Sequence, residues 1–309
     1  MSTPTLDEPT ATQDNYEEET IHFFHAEAHG LNGNLKRPIE QKIEKHVPVA
    51  LSGRRATHLT RFVDDVNIEG LVRAKRAHTR VSGSRSLKHR GWTTLSTSVV
   101  EGLNVFEIIT ADRLVSQVST DHPFHNGHFP RVTFLGTQFN NLRVSGFPVE
   151  LEFDFGICGE QHDGDVSYHD TPEFLKAVQQ QTAAIAGSEG LPGELKRDYD
   201  SRLETINLLI RRIGERNDFE QKPAIQCSLV KKIGPIPIPG VRSFGHILVI
   251  PEFGTVVLGE IEVGEKAHQE YPKRPDNYFE LTNVRMNMGC VGDGVVAAAT
   301  AAANGHSHP

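Results

Sequence analysis

Short runs rich in Val, Ile, Thr and Phe recur over most of the chain, and turn residues bound most of them. "VNIEGLVRAKRAHTRV", "WTTLSTSVV", "LNVFEIITADRLVSQVS", "RVTFLGTQF" and "PVELEFDFGI" read as strands. In "LNVFEIITADRLVSQVS", Phe106, Ile108, Leu114 and Val118 share one parity while Glu107 and Arg113 fall on the other, as in a half-buried strand. In "GHILVIPEFGTVVLGEIEV" two apolar runs flank "PEFG", which predicts a tight hairpin with Gly254 free to take positive φ.

One segment changes period. "DTPEFLKAVQQQTAAIA" opens a helix with Asp170 or Thr171 as N-cap, Pro172 in the first turn and Glu173 favourable to the helix dipole. Phe174, Val178 and Ile185 share its apolar face, and Gly187 and Gly190 end it. "LPGELKRDYDSRLETINLLIRRIG" gives a second helix with the stripe Leu203, Ile206, Leu209, Ile210 and Ile213. Five aliphatics are too many to leave wet, so the stripe is expected to pack on the chain's own sheet or on another subunit.

These elements predict a mainly β fold: a large antiparallel sandwich or barrel of roughly ten strands with an inserted αα-hairpin. Residues 1–19 are rich in Thr, Glu, Asp and Pro and read as a disordered acidic tail. Residues 20–290 form a single β-rich domain with the helical hairpin inserted at 170–216. Residues 291–309, "VGDGVVAAATAAANGHSHP", read as an Ala/Gly-rich extension, or as a short helix ended at Asn304-Gly305. The stretch "STSVVEGLNVFEIITAD" resembles strands of β-rich bacterial proteins, and that resemblance brings no activity with it.

Charge changes the picture in two places. Residues 1–20 hold six acids (Asp7, Glu8, Asp14, Glu17, Glu18, Glu19) and no Lys or Arg, so the body keeps 34 acids against 32 bases. A nearly neutral body has no general basic field, and nucleic acid is not expected as a partner. From Arg73 to Arg90 the chain instead carries seven Lys/Arg with no acid between Glu69 and Glu101. Arg80, Arg85, Lys88 and Arg90 lead into Trp92, the only tryptophan. A basic loop ending in an aromatic suits an anionic or glycan ligand; the same charges would equally guard an exposed edge strand.

The remaining chemistry lies in histidines. If "IHFFHAEAHG" is a strand, His25, Glu27 and His29 share one face, and His22, Phe24, Ala26 and Ala28 the other. A His₂-carboxylate set suits a divalent metal, Zn²⁺ or Fe²⁺, and "DHPFHNGHFP" offers His125 and His128 from a loop. Both segments also read as polar strand edge and exposed turn. "CGEQHDGDVSYHD" has no EF-hand spacing and reads as a polar connection into a helix cap. Cys158, Cys227 and Cys290 lack CxxC spacing and are expected to be small buried thiols.

No GxSxG, HExxH or phosphate-binding glycine loop occurs. No apolar run is long enough for a membrane span, and no secretory signal is visible, which leads to a cytoplasmic expectation. The leading expectation is a β-rich binding or structural/assembly protein, with self-association among its partners. The alternative is a metal-dependent enzyme, hydrolase or oxygenase-like, on the His/carboxylate site.

Overall fold

A computed structural model describes residues 21–86, 90–124, 128–159, 166–213, 222–266, 276–289 and 293–308. The acidic tail therefore lies outside the described residues. The chain begins with β1 (Ile21–Arg37), β2 (Gln41–Ile43), β3 (Val49–Gly53) and β4 (His58–Ile68). The meander continues through β5 (Val72–Ser86), β6 (Gly91–Val105) and β7 (Ile109–Pro123). Five short strands come next: β8 (Arg131–Thr133), β9 (Gln138–Asn140), β10 (Arg143–Val144), β11 (Phe147–Pro148) and β12 (Leu151–Phe153). Helices α1 (Pro172–Ala186) and α2 (Gly193–Arg211) precede β13 (Ile225–Ser228), β14 (Val230–Ile233), β15 (Arg242–Phe244) and β16 (Ile247–Ile250). The long strands β17 (Gly254–Lys266), β18 (Asp276–Met288) and β19 (Asp293–His308) close the chain.

The architecture is mainly β, antiparallel and sandwich-like, with the two helices packed as a hairpin. One sheet has nine strands, ordered β15-β16-β17-β18-β19-β1-β2, with β13 on β17 and β3 on β1. The other has eight, ordered β11-β10-β7-β6-β5-β4, with β8 and β9 on β7. The expected hairpin at "PEFG" joins β16 to β17, and Gly254 takes φ +128°, where a Cβ would stand 2.2 Å from the Asn287 carbonyl oxygen.

Two expectations change. "LNVFEIITADRLVSQVS" is a hairpin rather than one strand: Phe106 and Glu107, at φ +53° and +58°, form the turn between β6 and β7. Such a turn usually advertises itself with Asn-Gly. Here the Asn104 side chain secures it by accepting from the Glu107 amide at 2.9 Å.

The C-terminal segment is neither an extension nor a helix. It is β19, paired with β18 on one side and β1 on the other. The reason is the space between the sheets. Ala26 and Ala28 of β1 and Ala301 and Ala303 of β19 are almost wholly buried. From the other sheet the hydroxyl of Ser96 donates to Glu27 O at 2.5 Å, and that of Ser98 to His29 O at 2.7 Å. Ser116 donates to Ala299 O. Hydroxyls reaching backbone across the sandwich leave room for methyl groups and little more, so alanine's weak strand propensity is overridden by packing.

A crease crosses both sheets. Asp65, Gly102, Gly259 and Ala299 all take positive φ, on alternate strands β4, β6, β17 and β19. The ladder steps over them: Leu258 pairs with Val284, then Glu260 with Thr282; His29 pairs with Thr300, then Leu31 with Ala298. The inward parity of β1 consequently shifts from Ala28 to Leu31.

Beyond the crease the core widens around Leu31, Leu35, Val72, Val105, Ile109, Leu258 and Met286. On the other side the helical hairpin contributes Phe174, Leu175, Val178, Ile206 and Leu209 to a cluster with Ile225, Ile261 and Phe279. The α2 stripe thus docks on its own sheet, with Ile210 and Ile213 half-buried at its margin. Cys158 and Cys227 are free, buried thiols, pushed above the usual thiol range by desolvation. Cys290 lies outside the described residues.

The thin contact makes a measurable prediction. Ala301→Leu forces extra methylenes between the sheets and should cost about 1–3 kcal/mol of stability. It would be read as a lowered urea midpoint with an unchanged slope.

Candidate functional site

The outer face of the nine-stranded sheet carries a run of titratable groups. Strand periodicity projects His25, Glu27 and His29 outward from β1 while Phe24, Ala26 and Ala28 point inward, as the alternation predicts. Register then extends this face across the sheet. Glu27 lies opposite Ala302, Ala302 opposite Glu280, Glu280 opposite Glu262, and Glu262 opposite Gln226. The row beside it runs His29, Thr300, Thr282, Glu260, Ser228. With strands about 4.8 Å apart, Glu262 and Glu280 are direct neighbours and Glu27 stands roughly 10 Å from Glu280 across the Ala302 floor.

Some of these groups are neutralised from within. Glu260 receives Arg285 Nη2 at 2.6 Å, with Arg202 of α2 at 4.0 Å. Desolvation raises its pKa, and the two guanidiniums pull it back down. The Tyr278 hydroxyl donates to Glu262 at 2.7 Å. Beneath Arg202, Tyr199 stacks on the guanidinium and hydrogen-bonds the fully buried His246 at 2.9 Å. Burial first, then Arg202 and Arg285, holds that imidazole neutral with a pKa near 3.

Glu280 differs: among the described residues it has no hydrogen-bonded or ion-paired partner. Desolvation and then the Glu262 carboxylate raise its pKa, with Lys45 opposing. Asp276, at the end of the same face, is lifted to about 7 by burial against the pull of Lys266.

The eight-stranded sheet carries a comparable row on its own outer face, and there the signs alternate. Asp64, Arg76, Glu101 and Arg113 are successive ladder partners on β4, β5, β6 and β7. Arg76 meets Asp64 at 2.5 Å and Arg113 meets Glu101 at 3.8 Å. One sheet balances its charged row; the other leaves carboxylates facing carboxylates.

The sequence-predicted metal set is only partly brought together. His25 Nε2 and Glu27 Oε1 approach to 3.5 Å. His29 is 7% exposed, and burial and then Lys45 lower its pKa to about 4. The His25 pKa is lowered by burial and then Lys266. His128 packs its ring against Phe129 at 4.7 Å, and His125 lies outside the described residues. Among the described residues no group of three or more His, Cys, Asp or Glu is placed to hold a metal ion.

The basic set also separates. Arg80 is exposed on β5, paired in register with Thr97, and Arg85 lies opposite Trp92 with its guanidinium 5.1 Å over Phe124. Arg90 ends the β5–β6 connection at φ +49°, and Lys88 lies outside the described residues. Trp92 offers no open platform: it is 6% exposed, stacked on His22 at 5.1 Å and edge-on to Phe124. His22 in turn lies 4.8 Å from His122 of the opposite sheet. Of the polar connection ahead of α1, His169 and Asp170 are structural. Its ring nitrogens place His169 at 3.0 Å from Pro223 O and 3.5 Å from Glu265, and Asp170 binds Lys222 at 2.6 Å.

Sequence reading missed Glu260, Glu262 and Glu280 as partners of Glu27. Each sits in an apolar strand with unremarkable alternation, and only the β17-β18-β19-β1 order lines them up.

A family model spans residues 22–264, from the start of β1 into β17. The chain belongs to that family, described as Domain of unknown function (DUF8256). No curated protein and no solved structure matches the chain. The DUF8256 match takes in His25, Glu27, His29, Glu260 and Glu262, while Glu280 on β18 lies past its end.

The His29 environment predicts a pH dependence. Its pKa falls from 6.5 unfolded to about 4 folded, so between those values the unfolded chain binds the extra proton. Stability should therefore drop as pH falls from 6.5 to 4, by up to about 3 kcal/mol at 1.36 kcal/mol per pKa unit. His29→Gln should flatten that part of the stability–pH curve in urea titrations; an unchanged slope would show that His29 is solvated.

Proposed function

We propose that this chain is a β-sandwich binding protein whose ligand face is the outer face of the nine-stranded sheet, and that its ligand presents positive charge. The Glu262–Glu280 pair carries the reading. Like charges directly opposed in a ladder cost about 0.2–1 kcal/mol relative to neutral neighbours. The corresponding row of the other sheet avoids that cost by alternating signs. Stability given up at one exposed place, beside imidazoles and a phenol, is the mark of a surface kept for a partner. Free buried thiols at Cys158 and Cys227 support a reducing, cytoplasmic setting.

Two specific observations support other readings. The 3.5 Å approach of His25 and Glu27 supports the metal-dependent alternative. Phe62, 69% exposed on the outermost strand β4, supports assembly with a second copy.

The charge reading makes paired predictions. Glu280→Gln should raise the stability of the free protein by about 0.2–1 kcal/mol in urea. Spermidine, used as a cationic probe, should raise the melting temperature of the parent and not of the Glu262→Gln/Glu280→Gln variant. Equal shifts in both would place the cation elsewhere and refute the reading. A shift with Zn²⁺ that His25→Gln abolishes would favour the metal alternative instead.

A further inference from the structure

The connection from β3 to β4 crosses between the sheets at the end where β1 begins. Phe24 is in register with Gly53, the last residue of β3, and the Gly83 amide of β5 donates to Thr57 O at 2.8 Å. Arg54 and Arg55 lie on this crossing and are exposed. The Arg54 guanidinium rests 4.7 Å over the Phe23 ring. Arg85, two residues past Gly83 and also exposed, rests over Phe124. Aromatic rings thus hold two of the three charges in place.

None of the three has a carboxylate partner among the described residues. Arg73, Arg76, Arg113, Arg202 and Arg285 each have one. The rim is a fixed positive patch in a body that otherwise pairs many of its arginines. Residues 1–20, with six acids and no base, join the fold at Ile21, at this same end. Glu17, Glu18 and Glu19 precede Phe23 by four to six residues, within roughly 20 Å of extended chain. The carboxylate row of the nine-stranded sheet repels the segment, and the arginine rim attracts it.

We propose that residues 1–20 dock in cis across Arg54, Arg55 and Arg85, and so act as the internal competitor of any external anion for this rim. The tether supplies a local concentration of the order of millimolar, which suffices for contacts that are individually weak. The attraction acts within a Debye length of about 8 Å at physiological salt, so it is salt-sensitive.

The test uses a fluorescein-labelled peptide of residues 1–20, titrated by anisotropy into two full-length chains. One is the parent. The other carries Asp7→Asn, Glu8→Gln, Asp14→Asn, Glu17→Gln, Glu18→Gln and Glu19→Gln, which leaves the folded body untouched. The peptide should bind the neutral-tail chain, with at least about tenfold weaker apparent affinity for the parent, whose own segment occupies the rim. Adding Arg55→Glu to the neutral-tail chain should weaken binding severalfold without lowering its melting temperature, since Arg55 is exposed. Failure of the peptide to bind the neutral-tail chain, or equal binding to both chains, overturns the proposal. A concentration-dependent doubling of the parent's 34.2 kDa mass, absent from the neutral-tail chain, would show docking onto a second copy and overturn the cis reading.

Discussion

The two sheets approach so closely along β1 and β19 that serine hydroxyls of one reach backbone carbonyls of the other. A carbonyl left buried without its donor costs about 1–3 kcal/mol, so Ser96, Ser98 and Ser116 are as much a part of the core as the aliphatics. The same closeness dictates alanine at 26, 28, 301 and 303. It also makes the last strand indispensable, because β19 is the inner partner of both β18 and β1. The crease belongs to this arrangement: where the ladder steps over a residue, the carbonyls of His29 and Ala299 receive their hydrogen from across the sandwich.

Closing the middle with small groups pushes the large side chains to the ends. One end fills with Leu, Val and Met beyond the crease; the opposite end holds the His22, Phe24, Trp92 and Phe124 cluster. The helical hairpin covers the β13 side of the nine-stranded sheet with Phe174 and Val178 and places Arg202 against Glu260. The hairpin therefore does two things at once. It buries the α2 stripe, and it adds Arg202 to the Arg285 that already pairs with Glu260.

The outer faces follow different electrostatic rules. The row Asp64, Arg76, Glu101, Arg113 on β4 to β7 alternates in sign and sums to zero charge. Glu262 opposite Glu280 costs stability, because two carboxylates face each other in adjacent strands with no cation between them in the ladder. Arg54, Arg55 and Arg85, at the end of the sandwich where β1 begins, form a third territory, two of them resting on aromatic rings. Three surfaces of distinct charge on one small sandwich are the physical basis for reading the chain as a binding protein, in a family whose description names no activity.

Local pattern alone determined the β class, the helical hairpin with its N-terminal proline, the Gly254 turn and the facing of His25, Glu27 and His29. Each depends on neighbours a few residues apart, where period and φ preference act directly. The turn at Phe106-Glu107 was not legible, because its left-handed residues are not those that normally signal one. Nor was β19, since an alanine run becomes a strand only when another sheet sits too close for anything larger. The carboxylate row was the least legible. Glu27, Glu262 and Glu280 are separated by up to 253 positions and meet only through strand order and register. Hydrophobic alternation specifies which face a residue takes; which strands lie side by side is decided by long-range pairing, and that existed only in the tertiary structure.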